Sequence, residues 1–140
     1  MTEESIIIDT GPLVAFFNKA DYYHDWALMQ FSRLRPPFRT CEAVISEVAY
    51  LLRRTKSGVQ NLFTLIERDL LIVSFDLQGE YAAVKTLMKK YDDVPMSVAD
   101  GCLVRMSEQI SNSVIFTLDS DFRIYKKHIR NVIPLIFPAK

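Results

Sequence analysis

Short apolar runs alternating with helix-patterned segments predict an α/β fold built on a parallel sheet with helices on both faces. Three observations carry this. Residues 5–8, 70–73, 114–118 and 132–136 are brief and almost wholly apolar, as strands buried on both faces are. The segments between them repeat apolar side chains at helical spacing. No linker, repeat or low-complexity tract divides the 140 residues, so 1–140 reads as a single domain.

In order, residues 5–8 form a buried strand, and Thr10-Gly11-Pro12 opens a helix through Phe17, with proline tolerated in the first turn. A second helix runs from about residue 23 to 33 and stops before Pro36-Pro37; 38–40 is a brief extended piece. Residues 42–55 give the clearest helix, with Val44, Val48, Leu51 and Leu52 at helical spacing and Gly58 after it. A helix over 59–68, a strand over 70–73 and a helix over 77–90 follow, broken by Asp92-Asp93-Val94-Pro95. Residues 97–109 are helical, 114–118 a strand, 121–127 a short helix and 132–136 a last strand.

Seventeen basic residues balance seventeen acidic ones, so no global positive field marks a polyanion partner. Any such contact must be a local patch or metal-assisted. Cys41 and Cys102, far apart in apolar surroundings, read as buried thiols of a reducing compartment rather than a disulfide framework. No apolar run approaches the roughly 20 residues of a bilayer span. Met1-Thr2-Glu3-Glu4 lacks the basic start of a signal peptide. The expectation is a soluble, cytoplasmic protein without a membrane partner.

Four carboxylates stand where folding alone does not require them. Asp9 follows the first strand and Asp119 the strand at 114–118, and ligands of open α/β sheets bind beyond such strand ends. Glu47 falls between Val44 and Leu51 on the helix face expected to point inward, where an unpaired carboxylate is costly. Asp100 opens the helix at 97–109. Each acid also has a local structural reading. Asp9 suits a helix N-cap, Glu47 can reach solvent from a stripe edge, Ser97 and Asp100 fit a capping box, and Asp119-Ser120-Asp121 suits a turn. One cation site accounts for all four together.

Asp9-Thr10-Gly11-Pro12-Leu13-Val14-Ala15, Glu47 in the third helix, Val94-Pro95-Met96-Ser97-Val98-Ala99-Asp100 and Thr117-Leu118-Asp119-Ser120-Asp121-Phe122 resemble, as an ordered set, the PIN-domain ribonucleases. Among these the small VapC-type toxins are the nearest in form. The resemblance covers nearly the whole chain in the family's order and spacing. It implies a three-layer α/β/α sandwich around a parallel sheet, and metal-dependent cleavage of RNA that leaves a 5′-phosphate and a 3′-hydroxyl. By position, Asp9, Glu47, Asp100 and Asp119 match the acidic quartet that binds metal and catalyses. Asp121 matches an accessory acid, and Thr10 and Thr117 match hydroxyls beside the metals. The resemblance also implies an antitoxin that crosses the helices before and around Glu47 and brings a basic side chain to the acids.

Phosphodiester hydrolysis needs an activated water and neutralisation of oxygen charge, which one or two divalent ions supply. Carboxylates suit Mg²⁺ or Mn²⁺, and with only His24 and His128, distant in sequence, zinc is disfavoured. RNA phosphate contacts are expected from Arg53, Arg54 and Lys56, or from Arg123, Lys126, Lys127 and Arg130; each cluster equally suits a solvated helix end. Tyr22, Tyr23, Trp26 and Phe31, with Leu51 and Leu52, form a candidate surface for the antitoxin or a homodimer, and equally suit the core. His24 reads as a local cap.

Rival folds fit less well. A response-regulator-type domain wants adjacent acids at the first strand end and a lysine after the last strand, whereas Asp9 stands alone and Phe137-Pro138 follows. A haloacid-dehalogenase-like phosphatase wants a second Asp where Gly11 stands. The alternatives within the fold are an RNA-processing nuclease without an antitoxin and a module that only docks RNA or protein. Four mutually repelling acids argue against the second.

Overall fold

Residues 3–139 are described by a computed structural model. The chain alternates β1 (Ser5–Ile8), α1 (Thr10–Phe17), α2 (His24–Arg33), β2 (Phe38–Thr40), α3 (Glu42–Leu51), α4 (Gly58–Glu67) and β3 (Leu71–Val73). It continues through α5 (Leu77–Lys90), α6 (Val98–Gln109) and β4 (Ser113–Phe116). A short 3₁₀ helix (Ser120–Arg123), β5 (Lys126–Lys127), β6 (Asn131–Val132) and β7 (Leu135–Ile136) complete it.

Five strands form one parallel sheet in the order β3-β2-β1-β4-β7. The chain steps from β1 through β2 to the β3 edge, then returns across the sheet to β4. Right-handed crossovers therefore put α1 to α4 on one face and α5 and α6 on the other, giving the three layers. Side chains obey that division. Ile8 and Phe116 share a register position, as do Ile6 and Phe38. Phe31 of α2 packs on Phe116 and Phe38 with ring centroids 5.1 Å apart in both cases, and Trp26 meets Phe116 at 5.6 Å. The alternate residues Ile7 and Ile115, fully buried, point to the opposite face. The direction of strand order reverses between β1 and β4, and the crevice beyond their carboxyl ends is the topological switch point where such sheets bind ligands.

The expected parallel sheet and helices are present, with local corrections. The helix expected over 42–55 ends at Leu51, and turns lead to Gly58. The strand expected to reach Leu118 stops at Phe116, leaving Thr117 and Leu118 to carry the backbone out to Asp119. The short helix expected over 121–127 is a 3₁₀ turn, because Asp119 accepts a hydrogen bond from the Asp121 amide and tightens the start; Lys126–Lys127 then pairs as a strand. The last strand, expected over 132–136, is split at Ile133 and Pro134, with Asn131–Val132 in a two-stranded antiparallel ribbon with β5 and Leu135–Ile136 on the main sheet. Proline donates no ladder hydrogen bond, so it suits the break.

Cys41 and Cys102 are buried free thiols, as expected. Trp26 and Phe31 pack against the core, whereas Tyr22 is 90% exposed. Leu51 and Leu52 separate: Leu52 is fully buried and leaves the candidate partner surface, while Leu51 is exposed. Of the expected α3 stripe, Val44, Val48 and Leu52 are buried, and Leu51 falls outside it.

Candidate active site

Beyond the carboxyl ends of β1 and β4 lies a cavity of about 430 Å³ that Asp9, Glu47, Asp100, Asp119 and Asp121 line together, with Thr10 and Ser97. Each acid comes from a different local device. Asp9 is the N-cap of α1: its Oδ1 accepts from the Thr10 amide at 2.7 Å and its Oδ2 from the Thr117 hydroxyl at 2.7 Å. The capping reading was therefore right, and the same carboxylate also borders the cavity. Thr117 is fully buried, and its Oγ1 accepts from the Asp119 amide at 2.9 Å, so one hydroxyl joins the ends of β1 and β4.

Gly11 lets the start of α1 approach this junction, since a Cβ there would meet the Leu118 side chain at 3.0 Å. Thr10 donates its hydroxyl to Glu47 Oε1 at 2.5 Å, a short charge-assisted bond across the helices. Glu47 itself is exposed, at the edge of α3 beside the Val44 and Val48 stripe. The expectation that it points inward is corrected: the helix turns Glu47 toward the cavity rim, where water still reaches it. Asp100 closes a capping box with Ser97, whose hydroxyl accepts from the Asp100 amide at 3.0 Å.

Sequence reasoning passed over Tyr125. It is fully buried, and its hydroxyl donates to Asp100 Oδ2 at 3.0 Å. Its ring stacks edge-on against Tyr91 and Phe122 at 5.1 and 5.2 Å, which fixes the hydroxyl's position. The only signal is an aromatic residue inside a basic stretch that reads as a short helix. A buried phenol aimed at a carboxylate depends on the fold of the 3₁₀ turn, which no local pattern announced.

Crowding shows in the titration of the acids. Burial pushes the Asp9 carboxyl up to about 6, opposed by the bonds from Thr117 and Thr10 and reinforced by Asp100 and Asp119. Asp100 is raised by burial, opposed by Tyr125 and Ser97, with Asp119 adding repulsion. Asp121 is raised in the same direction, by desolvation and then Asp119. Burial, then the negative charge of Asp100, raises the Tyr125 phenol and keeps it a neutral donor. Among the described residues no basic side chain lines the cavity or pairs with these acids.

The sequence matches the PIN domain model over residues 6–127. The chain belongs to the PIN-domain family. The matched span runs from β1 through β5 and includes all five acids. Among solved structures this PIN domain is similar to VapC20 of Mycobacterium tuberculosis, described as a sarcin-ricin loop cleaving toxin. The TM-score is 0.76 at 21% identity over 93% of this chain and 100% of that one. At that identity the likeness speaks for the shared fold. No curated protein matches the chain.

The PIN domain does not bring the candidate phosphate contacts to the cavity. Arg53 is exposed, stacks over the Tyr50 ring at 3.9 Å and donates to the Tyr50 carbonyl at 2.8 Å; Arg54 and Lys56 are exposed beside it. Arg123 lies over the Phe137 ring at 5.4 Å, and Lys126 is in the small ribbon. None of them lines the acidic cavity. His24 is a structural group, its Nδ1 bonded to the Ala15 carbonyl at 2.7 Å.

The donor set suits a hard divalent cation, because among the described residues every charged group at the cavity is a carboxylate and no imidazole or thiolate lines it. Among the described residues no three His, Cys, Asp or Glu side chains gather into a ready cage. Mg²⁺ does not require one, since it keeps several waters and commonly takes only one or two carboxylates directly.

Proposed function

We propose that this PIN domain is a Mg²⁺- or Mn²⁺-dependent endoribonuclease and the toxin of a toxin-antitoxin pair, working in the cytoplasm. The observation that carries the reading is the convergence of five carboxylates on one cavity that no basic side chain lines among the described residues. Such a site repels a phosphodiester unless a cation intervenes. When bound, the cation would polarise the phosphate oxygens and lower the pKa of an attacking water.

Asp9, Asp100 and Asp119 would hold it, with Glu47 and Asp121 bonding directly or through water. Thr10 orients Glu47 and Thr117 orients Asp9, so neither acid must be ordered when substrate arrives. No protein nucleophile is needed, and water attack leaves a 5′-phosphate and a 3′-hydroxyl. RNA phosphates away from the cavity would meet Arg53, Arg54 and Lys56 or Arg123 and Lys126, none of which lines it. Incubating purified protein with single-stranded and looped RNAs tests the reading: cleavage with Mg²⁺ or Mn²⁺, abolished by a chelator, is expected. Undiminished cleavage in chelator would overturn it.

Tyr125→Phe removes one hydroxyl from a packed ring and leaves the Asp100 carboxylate held only by the longer bond from the Ser97 amide at 3.4 Å. The expected result is a roughly tenfold loss of activity, with a higher Mg²⁺ concentration for half-maximal rate. Melting near that of the parent would show that the loss is not unfolding. A Mg²⁺ dependence identical to the parent's would remove Tyr125 from the site.

An antitoxin would cover apolar surface close to the Glu47 helix. Tyr50, Leu51 and Phe63 are 61%, 48% and 48% exposed on α3 and α4, and Tyr22 stands out just before α2. Polar substitutions at these positions are expected to weaken inhibition by a co-encoded protein without changing cleavage by the free toxin. Inhibition unchanged across the set would refute this surface.

A further inference from the structure

A second cavity, of about 390 Å³, shares no lining residue with the acidic one. It contains an arginine that neither the fold nor the proposed cleavage uses. Arg39 occupies the middle of β2, in register with Ile7 of β1 and Ile72 of β3. By strand alternation it points to the α6 face, while its neighbours Phe38 and Thr40 are buried toward the other. A sheet position flanked by isoleucines on both sides is one where folding favours a β-branched apolar residue.

The Arg39 side chain is half-buried and, among the described residues, makes no ion pair, hydrogen bond or ring contact; the ion pairs found belong to Arg35 and Arg105. Around it the cavity is lined by Ser5, Ser74, Gln109 and Ser111, with Phe75, Met106 and Ile110 as its apolar wall, and by no carboxylate among the described residues. These four polar side chains likewise engage no described partner. A single guanidinium with hydroxyl and amide groups is thus gathered at one concave place with its donors unspent.

The structure assigns to this cavity a binding site for a compact phosphate group, either free phosphate or a phosphate monoester. Guanidinium offers a planar pair of donors that matches two phosphate oxygens. Ser and Gln side chains supply donors for the remaining oxygens, more than a carboxylate could accept. The volume lies at the small end of ligand pockets and admits a phosphate with a modest group attached. The competing role for Arg39 is to face the carbonyl end of α6, which terminates at Gln109. No carbonyl there accepts a bond from it, so the geometry favours a ligand.

The test uses the full chain in chelator, so that metal-bound phosphate plays no part. Inorganic phosphate, a nucleoside 5′-monophosphate and acetate are titrated by calorimetry and by amide chemical shifts. Phosphate is expected to bind with one-to-one stoichiometry and to shift the amides of Ser5, Arg39, Ser74 and the segment 109–111. Arg39→Met should weaken it at least tenfold, and Arg39→Lys, which keeps the charge but not the fork, by less. Metal-dependent RNA cleavage should be unchanged in both. Tighter binding of the monophosphate identifies a monoester ligand, and equal binding identifies free phosphate. The assignment is overturned if acetate binds as well as phosphate, or if the shifts centre on Arg123, Lys126 and Lys127. It is also overturned if neither phosphate binds at tens of millimolar, or if folded Arg39→Met or Arg39→Lys binds as the parent does.

Discussion

Asn at Asp100 or at Asp9 is expected to cut Mg²⁺-supported RNA cleavage by roughly a hundredfold or more while the fold survives. Either change removes one of the negative charges that would hold the cation, but each leaves an amide that can keep the local bonds. At Asp100 the Asn oxygen can still accept from the Ser97 amide and the Tyr125 hydroxyl. At Asp9 it can still cap α1 through the Thr10 amide. Circular dichroism and melting separate folding from chemistry. A folded, metal-supplied variant that cleaves at the parent rate would remove that acid from the proposed site.

The contrast with the capping roles explains what the sequence could and could not convey. Asp9 and Asp100 each fit a helix start, and both caps are present. Local pattern alone could not tell whether those side chains also met anything else. The order of strands supplies that: β1 and β4 are neighbours, so Asp9 and Asp119, more than a hundred positions apart, share the Thr117 hydroxyl, and Asp100 lines the same cavity.

The apolar runs revealed that parallel core because β1 and β4 are buried on both faces, a property visible in composition. The end of the chain was less readable. Leu135 and Ile136 carry a strand only two residues long, and Pro134 interrupts the apolar run that seemed continuous. Glu47 shows the limit of helical periodicity: four apolar positions suggest one broad inward face, but Leu51 is exposed, and Glu47 on its side of the helix lies at the rim rather than in the interior. Tyr125 shows the complementary limit: its value lies in a contact with Asp100 that no spacing encodes.

Without divalent ions, Asp9→Asn should melt above the parent at neutral pH. Burial raises the Asp9 carboxyl from 3.8 to about 6 in the folded protein. The folded state therefore holds this proton more tightly than the unfolded chain, so its contribution is fully present below the unfolded pKa. That contribution is lost as pH rises through the folded value, and above it the ionised carboxylate costs up to about 3 kcal/mol. Asn removes the charge, but with its oxygen on the Thr10 amide its NH2 cannot accept from the Thr117 hydroxyl, so that bond is lost and the net gain is about 1–2 kcal/mol, or roughly 3–8 °C.

The advantage should vanish as pH falls below about 4, where Asp9 is protonated in both states. Mg²⁺ should reverse the order at neutral pH. By mass action it stabilises the parent, by about 2.7 kcal/mol at a hundredfold excess over its dissociation constant, and the variant less. Differential scanning calorimetry across pH, with and without Mg²⁺, reads both effects. Parent and variant melting together under every condition would mean that Asp9 is neither strained by its neighbours nor a partner of the cation.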